Sequence, residues 1–273
     1  MNPLSLDHLT VFEASPPEVV SIAAATDCQY VSLFIQKPND RVAVPPLVSD
    51  AALRRETSRR LADTGVTLGA IECFIITPEV DIQSFRPALE AGAVLGGKAA
   101  ATVAFDPDEK RFLDKFSELC ALAAEYGLGA NIEFLAFSPM NSIGKTEQFL
   151  RRAELPTAGI IVDSLHMVRT GGSPADVAST EPGMIRYAQI CDGPLAIAPE
   201  LEQDEGLLQR RIPGEGAFPL AEFAAALPPE VTIGVEVPLR DLRESGMGPM
   251  DRARLAVGAS RRIIRASRAR LVT

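Results

Sequence analysis

The feature of this sequence that most constrains its fold is the regular alternation of short apolar runs with longer helical patterns. Eight runs rich in β-branched and other apolar residues predict strands at residues 4–9, 30–35, 67–75, 99–105, 130–135, 159–162, 187–191 and 232–237. Strands that alternate with helices pair in parallel through right-handed crossovers. Eight such units in 273 residues close into a barrel more readily than into an open sheet, so we predict a single (β/α)8 barrel.

The helical patterns carry end signals. Ser15 and two prolines open the first helix, Asp81 and Asp108 lie near N-cap positions, and Gly65 ends the second helix. Further helices are predicted at residues 51–64, 81–95, 108–126, 145–152, 174–179, 220–226 and 250–266. The longest irregular segment, residues 193–218, follows the seventh strand, and a loop of that length in a compact barrel is typical of a functional segment.

Composition and motifs exclude several classes of protein. Hydrophobic residues make up 47% of the chain and charged residues 23%, which is typical of a folded globular protein. No apolar run reaches the roughly 18 residues of a membrane span, and no signal peptide is evident, so we expect a cytoplasmic protein. No GxGxxG motif follows an early strand, which argues against a dinucleotide domain. Nothing marks a second domain within residues 1–273.

The charge balance and the cysteines exclude two further kinds of site. The net charge is −9, and the one dense basic stretch, residues 261–270, fits the exposed side of a last helix. We therefore expect no nucleic-acid partner. Scattered cysteines without a CxxC pair favour reduced, buried thiols over zinc ligands or disulfides. They are Cys28, Cys73, Cys120 and Cys191.

Polar side chains collect where four consecutive predicted strands end. Strands five to eight supply, in order, Glu133, Asp163, Gln189 and Glu236. The C-terminal ends of barrel strands share one rim, where the catalytic groups of such barrels lie. Three carboxylates share a dry site only when a cation or protons offset their repulsion. We therefore predict that these four residues bind one divalent cation.

The two histidines differ in what the sequence predicts for them. His166 follows Asp163 by three residues, which predicts that it faces the same rim. His8 lies near the end of the first strand, and it either lines the pocket or belongs to the core. Six apolar residues near strand ends leave the same two alternatives open, and if they line the pocket the substrate is less polar than a free hexose. They are Phe12, Phe34, Phe74, Phe137, Met140 and Met167.

Basic residues give weaker indications about the substrate. Arg240 and Arg243 follow Glu236 in the last loop, where they either bind a substrate carboxylate or offset the acidic surface. No glycine-rich phosphate loop is evident, so a phosphorylated substrate is not indicated.

Five segments together resemble the xylose isomerase-like TIM-barrel superfamily over nearly the whole chain. They are AAEYGLGANIEFL, VDSLHMVRTGG, AQICDGP, RRIPGEGAF and GVEVP. This superfamily includes sugar isomerases and epimerases, hydroxypyruvate isomerases, inosose and 3-dehydroshikimate dehydratases, and endonuclease IV. Endonuclease IV needs a histidine-rich site with several zinc ions, which two histidines cannot supply. Homo-oligomers are common in this group, which makes a homo-oligomer an expectation by analogy.

The resemblance implies a set of cation ligands, namely Glu133, Asp163, Gln189 and Glu236. The family has a histidine where Gln189 stands, so an amide oxygen replaces an imidazole nitrogen and every ligand is oxygen. Such a site favours Mg²⁺ or Mn²⁺, with Zn²⁺ or Co²⁺ left open. The resemblance also implies that His166 orients the substrate together with an arginine, either Arg210 or Arg211.

In the epimerase-like members, two glutamate ligands move protons on opposite faces of the substrate, and here these are Glu133 and Glu236. We therefore expect a metal-dependent isomerase or epimerase of a small sugar-like hydroxycarbonyl compound, acting through an enediolate. One alternative is a metal-dependent dehydratase of a cyclic polyol or a 3-dehydroshikimate-like compound, which would use the same ligands. Another alternative is a non-catalytic barrel that binds a ligand. The substitution of the family's histidine by Gln189 supports it, and the presence of all three carboxylates and His166 argues against it.

Overall fold

The predicted strands form one closed barrel of parallel strands, in which neighbours along the chain pair and β8 pairs with β1. The structure is a computed structural model that describes residues 2–37 and 44–269. Its strands are β1 (Leu4–Asp7), β2 (Tyr30–Phe34), β3 (Thr67–Ile76), β4 (Ala99–Ala104), β5 (Gly129–Glu133), β6 (Ala158–Asp163), β7 (Ile185–Ile190) and β8 (Thr232–Val235). The predicted (β/α)8 fold class is confirmed.

Helices connect successive strands around the outside of the barrel. In the described ranges they are α1 (Pro16–Ala25), α2 (Ala51–Thr64), α3 (Arg86–Val94), α4 (Glu109–Ala124), α5 (Ile143–Ala153), α6 (Ser164–Arg169), α7 (Pro174–Ser179), α8 (Glu202–Leu207), α9 (Leu220–Ala226), α10 (Arg240–Glu244) and α11 (Pro249–Ala269). Short 3-10 turns cover His8–Val11, Ile82–Phe85 and Pro199–Leu201.

Local chemistry explains where several of these helices begin and end. The side chain of Asp50 accepts hydrogen bonds from the backbone amides of Ala52 and Leu53, which opens α2 at the predicted residue. The helix ends at Gly65, whose φ of 72° is a left-handed conformation that glycine adopts without steric cost. The long segment 193–218 is less irregular than predicted, because it contains a 3-10 turn and α8.

A layer of polar side chains crosses the inside of the barrel near the C-terminal ends of the strands. Asp7, at the end of β1, is fully buried and accepts hydrogen bonds from Tyr187 and Gln189 of β7 at 2.6 and 3.4 Å. The intervening strand β8 leaves room for this contact at Gly234, where an added Cβ would lie 2.1 Å from an oxygen of Asp7. The glycine therefore allows a carboxylate to occupy the barrel interior.

Two further expectations can be compared with the structure. No helix in the described ranges combines the length and the apolar character that crossing a membrane requires. All four cysteines are free thiols, and three of them are buried.

The space beside Asp7 gives a prediction about stability. Gly234→Ala should lower the free energy of unfolding by about 1–3 kcal/mol, the usual effect of overpacking a core. Gly144→Ala is the matched control, because its added Cβ, in α5, meets no other atom within 4 Å. A helical alanine should be neutral or stabilising by up to about 1 kcal/mol. Urea unfolding of both variants measures the difference, and equal stabilities would contradict the close approach.

Candidate active site

A cavity of about 260 Å³ opens at the C-terminal end of the barrel. Its walls are mainly apolar, and they include Leu9, Phe34, Ile75, Val103, Phe105, Leu135, Phe137 and Leu207. Its polar lining consists mainly of Glu72, Glu133, His166, Arg210 and Glu236. The cavity is slightly smaller than most ligand pockets, which usually enclose about 300–1,000 Å³, and this size suits a small molecule.

The predicted ligands on β5 and β6 lie side by side. Glu133 is the last residue of β5, and Asp163 is the last residue of β6 and caps α6 through a 2.8 Å hydrogen bond from the amide of Leu165. Single ligand atoms of Glu133, Asp163 and His166 all lie within 4.8 Å of one another. These three side chains could hold a cation between them, and two of them, Glu133 and Asp163, are predicted ligands.

The other two predicted ligands contact each other. The amide nitrogen of Gln189 donates a 2.9 Å hydrogen bond to Oε1 of Glu236, the residue that directly follows β8. The amide oxygen of Gln189 is buried and has no hydrogen-bond donor among the described residues. An unpartnered buried oxygen is costly unless a ligand completes it, so this oxygen fits a cation ligand.

Arg210 joins the two halves of the candidate site. Its guanidinium is 2.7 Å from Oδ2 of Asp163 and 2.8 Å from Oε2 of Glu236. It also donates to the carbonyl of Gly206 at 2.9 Å, near the C-terminus of α8, where carbonyl groups lack helical partners. Arg211, by contrast, is exposed and donates to the carbonyl of Glu215. Of the two alternatives, Arg210 is therefore the arginine that faces the cavity.

The segment that carries Arg210 is attached to the helix that carries His166. Arg169, in α6, forms a buried ion pair of 2.6 Å with Glu205, in α8, and both side chains are 5% exposed. The same guanidinium donates to the carbonyl of Pro194 and stacks over the ring of Phe218. These contacts hold both ends and the middle of segment 193–218 against the barrel.

The site has an excess of buried negative charge. Burial and the nearby Asp163 raise the pKa of Glu133 well above its usual range, and burial does the same for Glu236. Burial also raises the pKa of Asp7 to about 6 and that of Glu72 to about 8. Among the described residues, Arg210 is the only arginine or lysine that pairs with any of these carboxyls. Protons or a bound cation must supply the remaining positive charge.

The two histidines have different surroundings. His166 is 3% exposed, its Nε2 lies 3.7 Å from Oε1 of Glu133, and the edge of its ring meets Phe137. Its Nδ1 has no partner among the described residues, and burial lowers its pKa to about 4, so the ring is neutral. His8 contacts the carbonyl of Ala14 and the amide of Phe34 instead, which makes it a core residue.

Two buried carboxyl groups beside the cavity were not predicted from the sequence. Asp7 ends β1, and Glu72 lies within β3, where its Oε1 accepts a hydrogen bond from the hydroxyl of Ser32. The signal in the sequence was a single glutamate inside the apolar run AIECFII. An unpaired charge in such a run conflicts with burial, and that conflict marks a functional position.

The apolar residues near the strand ends divide between the cavity and the core. Phe34 and Phe137 line the cavity, together with the unpredicted Phe105. Phe74, Met140 and Met167 belong to the main core. Phe12 lies under the guanidinium of Arg243, and Arg240 pairs with Asp204. Phe12, Arg240 and Arg243 do not line the cavity.

The fold and the site define an α/β barrel with an acidic centre at its C-terminal end. The family model described as the xylose isomerase-like TIM barrel matches residues 20–262, and the chain belongs to this family.

Two curated relatives match part of the chain, and both are named 3-dehydroshikimate dehydratase. The protein of Pseudomonas aeruginosa is 33% identical over 127 residues, which are 46% of this chain and 19% of the relative. The protein of Pseudomonas putida is 29% identical over 121 residues, which are 44% of this chain and 19% of the relative. The matched stretch is thus about a fifth of the length of these relatives.

Solved structures share the fold at low sequence identity. A fusion of a xylose isomerase-like TIM barrel with a 4-hydroxyphenylpyruvate dioxygenase matches with a TM-score of 0.82 and 20% sequence identity. The match covers 98% of this chain and 44% of the fusion protein. The IOLI protein, described with a bound zinc atom, matches with a TM-score of 0.80 and 16% sequence identity, over 98% of this chain and 99% of the IOLI chain. An L-ribulose 3-epimerase matches with a TM-score of 0.75 and 15% sequence identity, over 100% of this chain and 98% of the epimerase chain.

The neighbouring arginines give a prediction about stability. Arg210→Ala leaves Asp163 and Glu236 without their basic partner, which should lower the free energy of unfolding by about 3–5 kcal/mol, the usual cost of breaking a buried pair. Arg211→Ala, at the next position, should change it by about 0.5 kcal/mol or less. Both variants are unfolded in denaturant with a chelator present, so that no cation replaces the guanidinium. If Arg210→Ala loses no more free energy of unfolding than Arg211→Ala, the buried pairs are not stabilising.

Proposed function

We propose that this chain is a divalent-cation-dependent lyase that removes water from a small cyclic hydroxy ketone, with 3-dehydroshikimate as the first substrate to test. The observation that carries the proposal is an asymmetry between the two glutamates that the resemblance pairs as bases. Glu236 has both oxygens engaged, one by Gln189 and one by Arg210. Glu133 accepts no hydrogen bond within the described ranges, and Nε2 of His166 lies 3.7 Å from its Oε1.

This asymmetry favours elimination over epimerisation. Epimerisation through two opposed carboxylates needs a basic oxygen on each side of the substrate. Elimination needs a single base that removes a proton beside the carbonyl, after which the hydroxyl group leaves from the neighbouring carbon. Glu133 lines the cavity and suits the task of that base, while Glu236 is held as a structural and ligand group.

The chemistry of the cavity walls supports a cyclic substrate. An open-chain sugar carries a hydroxyl on nearly every carbon, and most of these would lack hydrogen bonds against walls such as Phe34, Phe105 and Phe137. A ring with one unsaturated edge presents an apolar face to these side chains and its hydroxyl and carbonyl oxygens to the acidic end of the cavity. The names of the two curated relatives agree with this substrate class.

The residues present fit in part the cation that the family implies, because Glu133 and Asp163 lie in one group while Glu236 lies in another with Asp7 and Glu72. Glu133, Asp163, Gln189 and Glu236 would hold it, and the unpartnered amide oxygen of Gln189 is the observation that supports this assignment. When bound, the cation would stabilise the negative charge of the enolate. His166 is neutral and lines the cavity, so it can donate a hydrogen bond to the substrate carbonyl. Arg210 keeps Asp163 and Glu236 in place.

Isomerisation or epimerisation of a hydroxycarbonyl compound is the second candidate. It is favoured by the fact that Glu133 and Glu236 line the same cavity, as a two-base mechanism requires. In deuterated water, an isomerase would return deuterium to the carbon that is reprotonated, while a lyase would release an unsaturated product. Product analysis by mass spectrometry therefore separates the two candidates.

The base gives the first prediction about activity. Glu133→Gln should lower the turnover of 3-dehydroshikimate to its aromatic dihydroxybenzoate by about 10²–10⁴-fold, because it removes the general base but keeps an oxygen ligand. Glu230→Gln is the control, since this residue is exposed and precedes β8 at the opposite end of the barrel. Ultraviolet absorbance follows the aromatic product. Undiminished turnover in Glu133→Gln would reject Glu133 as the base.

The ligand set gives a second prediction about activity. A site of oxygen ligands should regain activity with Mg²⁺ or Mn²⁺ after chelation, and Gln189→His should shift the preference toward Zn²⁺ or Co²⁺. The measurement is turnover of both proteins after dialysis against chelator and addition of each ion in turn. Full activity of the wild type without any divalent ion would contradict the assignment.

A further inference from the structure

We propose that Glu72 is a second catalytic residue, the acid that gives a proton to the departing hydroxyl group. The assignment rests on the lyase function proposed above. Nothing in the sequence resemblance gives this residue a task, and among the described residues it is the one buried carboxyl group lining the cavity that neither the ligand set nor the base uses.

The position of Glu72 makes it accessible to a substrate. It lies in β3, is 7% exposed, and lines the same cavity as Glu133. Its Oε1 is fixed by the hydroxyl of Ser32 on the neighbouring strand β2. Its second oxygen accepts no hydrogen bond from any side chain in the described ranges, so it is free to contact a molecule in the cavity.

Glu72 and the proposed base belong to different groups of side chains. Glu133 lies with Asp163 and His166, whereas Glu72 lies with Asp7 and Glu236. Both carboxyl groups line the cavity, so a substrate bound there can contact each of them with a different atom. This arrangement fits an elimination, in which the proton is removed from one carbon and the hydroxyl group leaves from its neighbour.

Other candidates for the acid are less suitable. Asp7 does not line the cavity, and Ser5, Tyr187 and Gln189 all donate to its oxygens. Cys73 lines the cavity, but a thiol is a far weaker acid than a carboxyl group. His166 lies beside the proposed base at 3.7 Å, on the side where the proton is removed.

The proposed step balances in protons and electrons. Glu133 takes the proton from the carbon beside the carbonyl, and the electrons of that C–H bond form the enolate. The enolate then collapses to a carbon–carbon double bond as the C–O bond to the hydroxyl group breaks. The proton of Glu72 goes to the departing oxygen, so that water leaves. Glu133 ends protonated and Glu72 ionised, and proton exchange with solvent restores both.

The test compares two leaving groups in the same variant. Glu72→Gln keeps an acceptor for Ser32 and nearly the same shape but cannot donate an acidic proton. It should lower the dehydration of 3-dehydroshikimate by about 10²-fold or more. An analogue with fluorine in place of the leaving hydroxyl needs no acid, since fluoride leaves without protonation. The variant should therefore eliminate fluoride at close to the wild-type rate.

Controls separate this assignment from a structural effect and from failure of the proposed function. Asp106→Asn removes another buried carboxylate, just beyond the end of β4, that does not line the cavity, and it should leave both rates near those of the wild type. Ser32→Ala should lower the dehydration rate less than Glu72→Gln does, and it should also eliminate fluoride at close to the wild-type rate. It replaces Glu72→Gln if that variant fails to fold.

Two results would overturn the assignment of Glu72. One is an equal loss on both substrates in a variant that still binds Mn²⁺, which would make its contribution structural. The other is wild-type dehydration of 3-dehydroshikimate by Glu72→Gln. Failure of the wild-type protein to eliminate from either compound is a different outcome, because it rejects the lyase function and the acid together.

Discussion

The guanidinium of Arg210 is the contact on which the arrangement of the acidic centre depends. It bridges Asp163 on β6 and Glu236 after β8, and it reaches them from a segment that is not part of the barrel. Without it, two carboxylates that are almost fully buried would face each other with no basic partner among the described residues. The long loop therefore completes the electrostatics of the barrel, which explains why it is ordered against the mouth and is not merely a connection.

The same contact limits the chemistry available to the site. By engaging one oxygen of Glu236, Arg210 makes the two halves of the ligand set unequal, and Gln189 increases this inequality by donating to the other oxygen. A site with a symmetric pair of bases would move a proton between two faces of one carbon. An unequal site is better suited to a reaction in which one group is removed and another departs.

Much of the architecture could be predicted from the sequence, because it follows from local periodicity. The strands and most of the helices lie close to their predicted positions, since capping residues such as Asp50 and Gly65 act within one turn of the chain. The strand-end residues on β5 to β8 were also visible as polar endings of apolar runs. Asp7 and Glu72 were not predicted, because their importance depends on contacts with Tyr187 and Ser32 across the barrel. Arg210 and Arg211 could not be separated either, since only the tertiary path of the loop decides which side chain points inward.

The ion pair between Arg169 and Glu205 has a consequence for how this barrel can diverge. Glu205 and Arg210 lie on one short stretch and bind in different places, the first to α6 and the second to the acidic centre. An insertion or deletion between them would break one attachment whenever it preserved the other. The two ion pairs therefore constrain the length of this stretch, whereas the apolar walls on β2 to β4 take no part in either of them. A change of substrate would then involve residues of the apolar walls, while the length of the loop that carries Arg210 is kept.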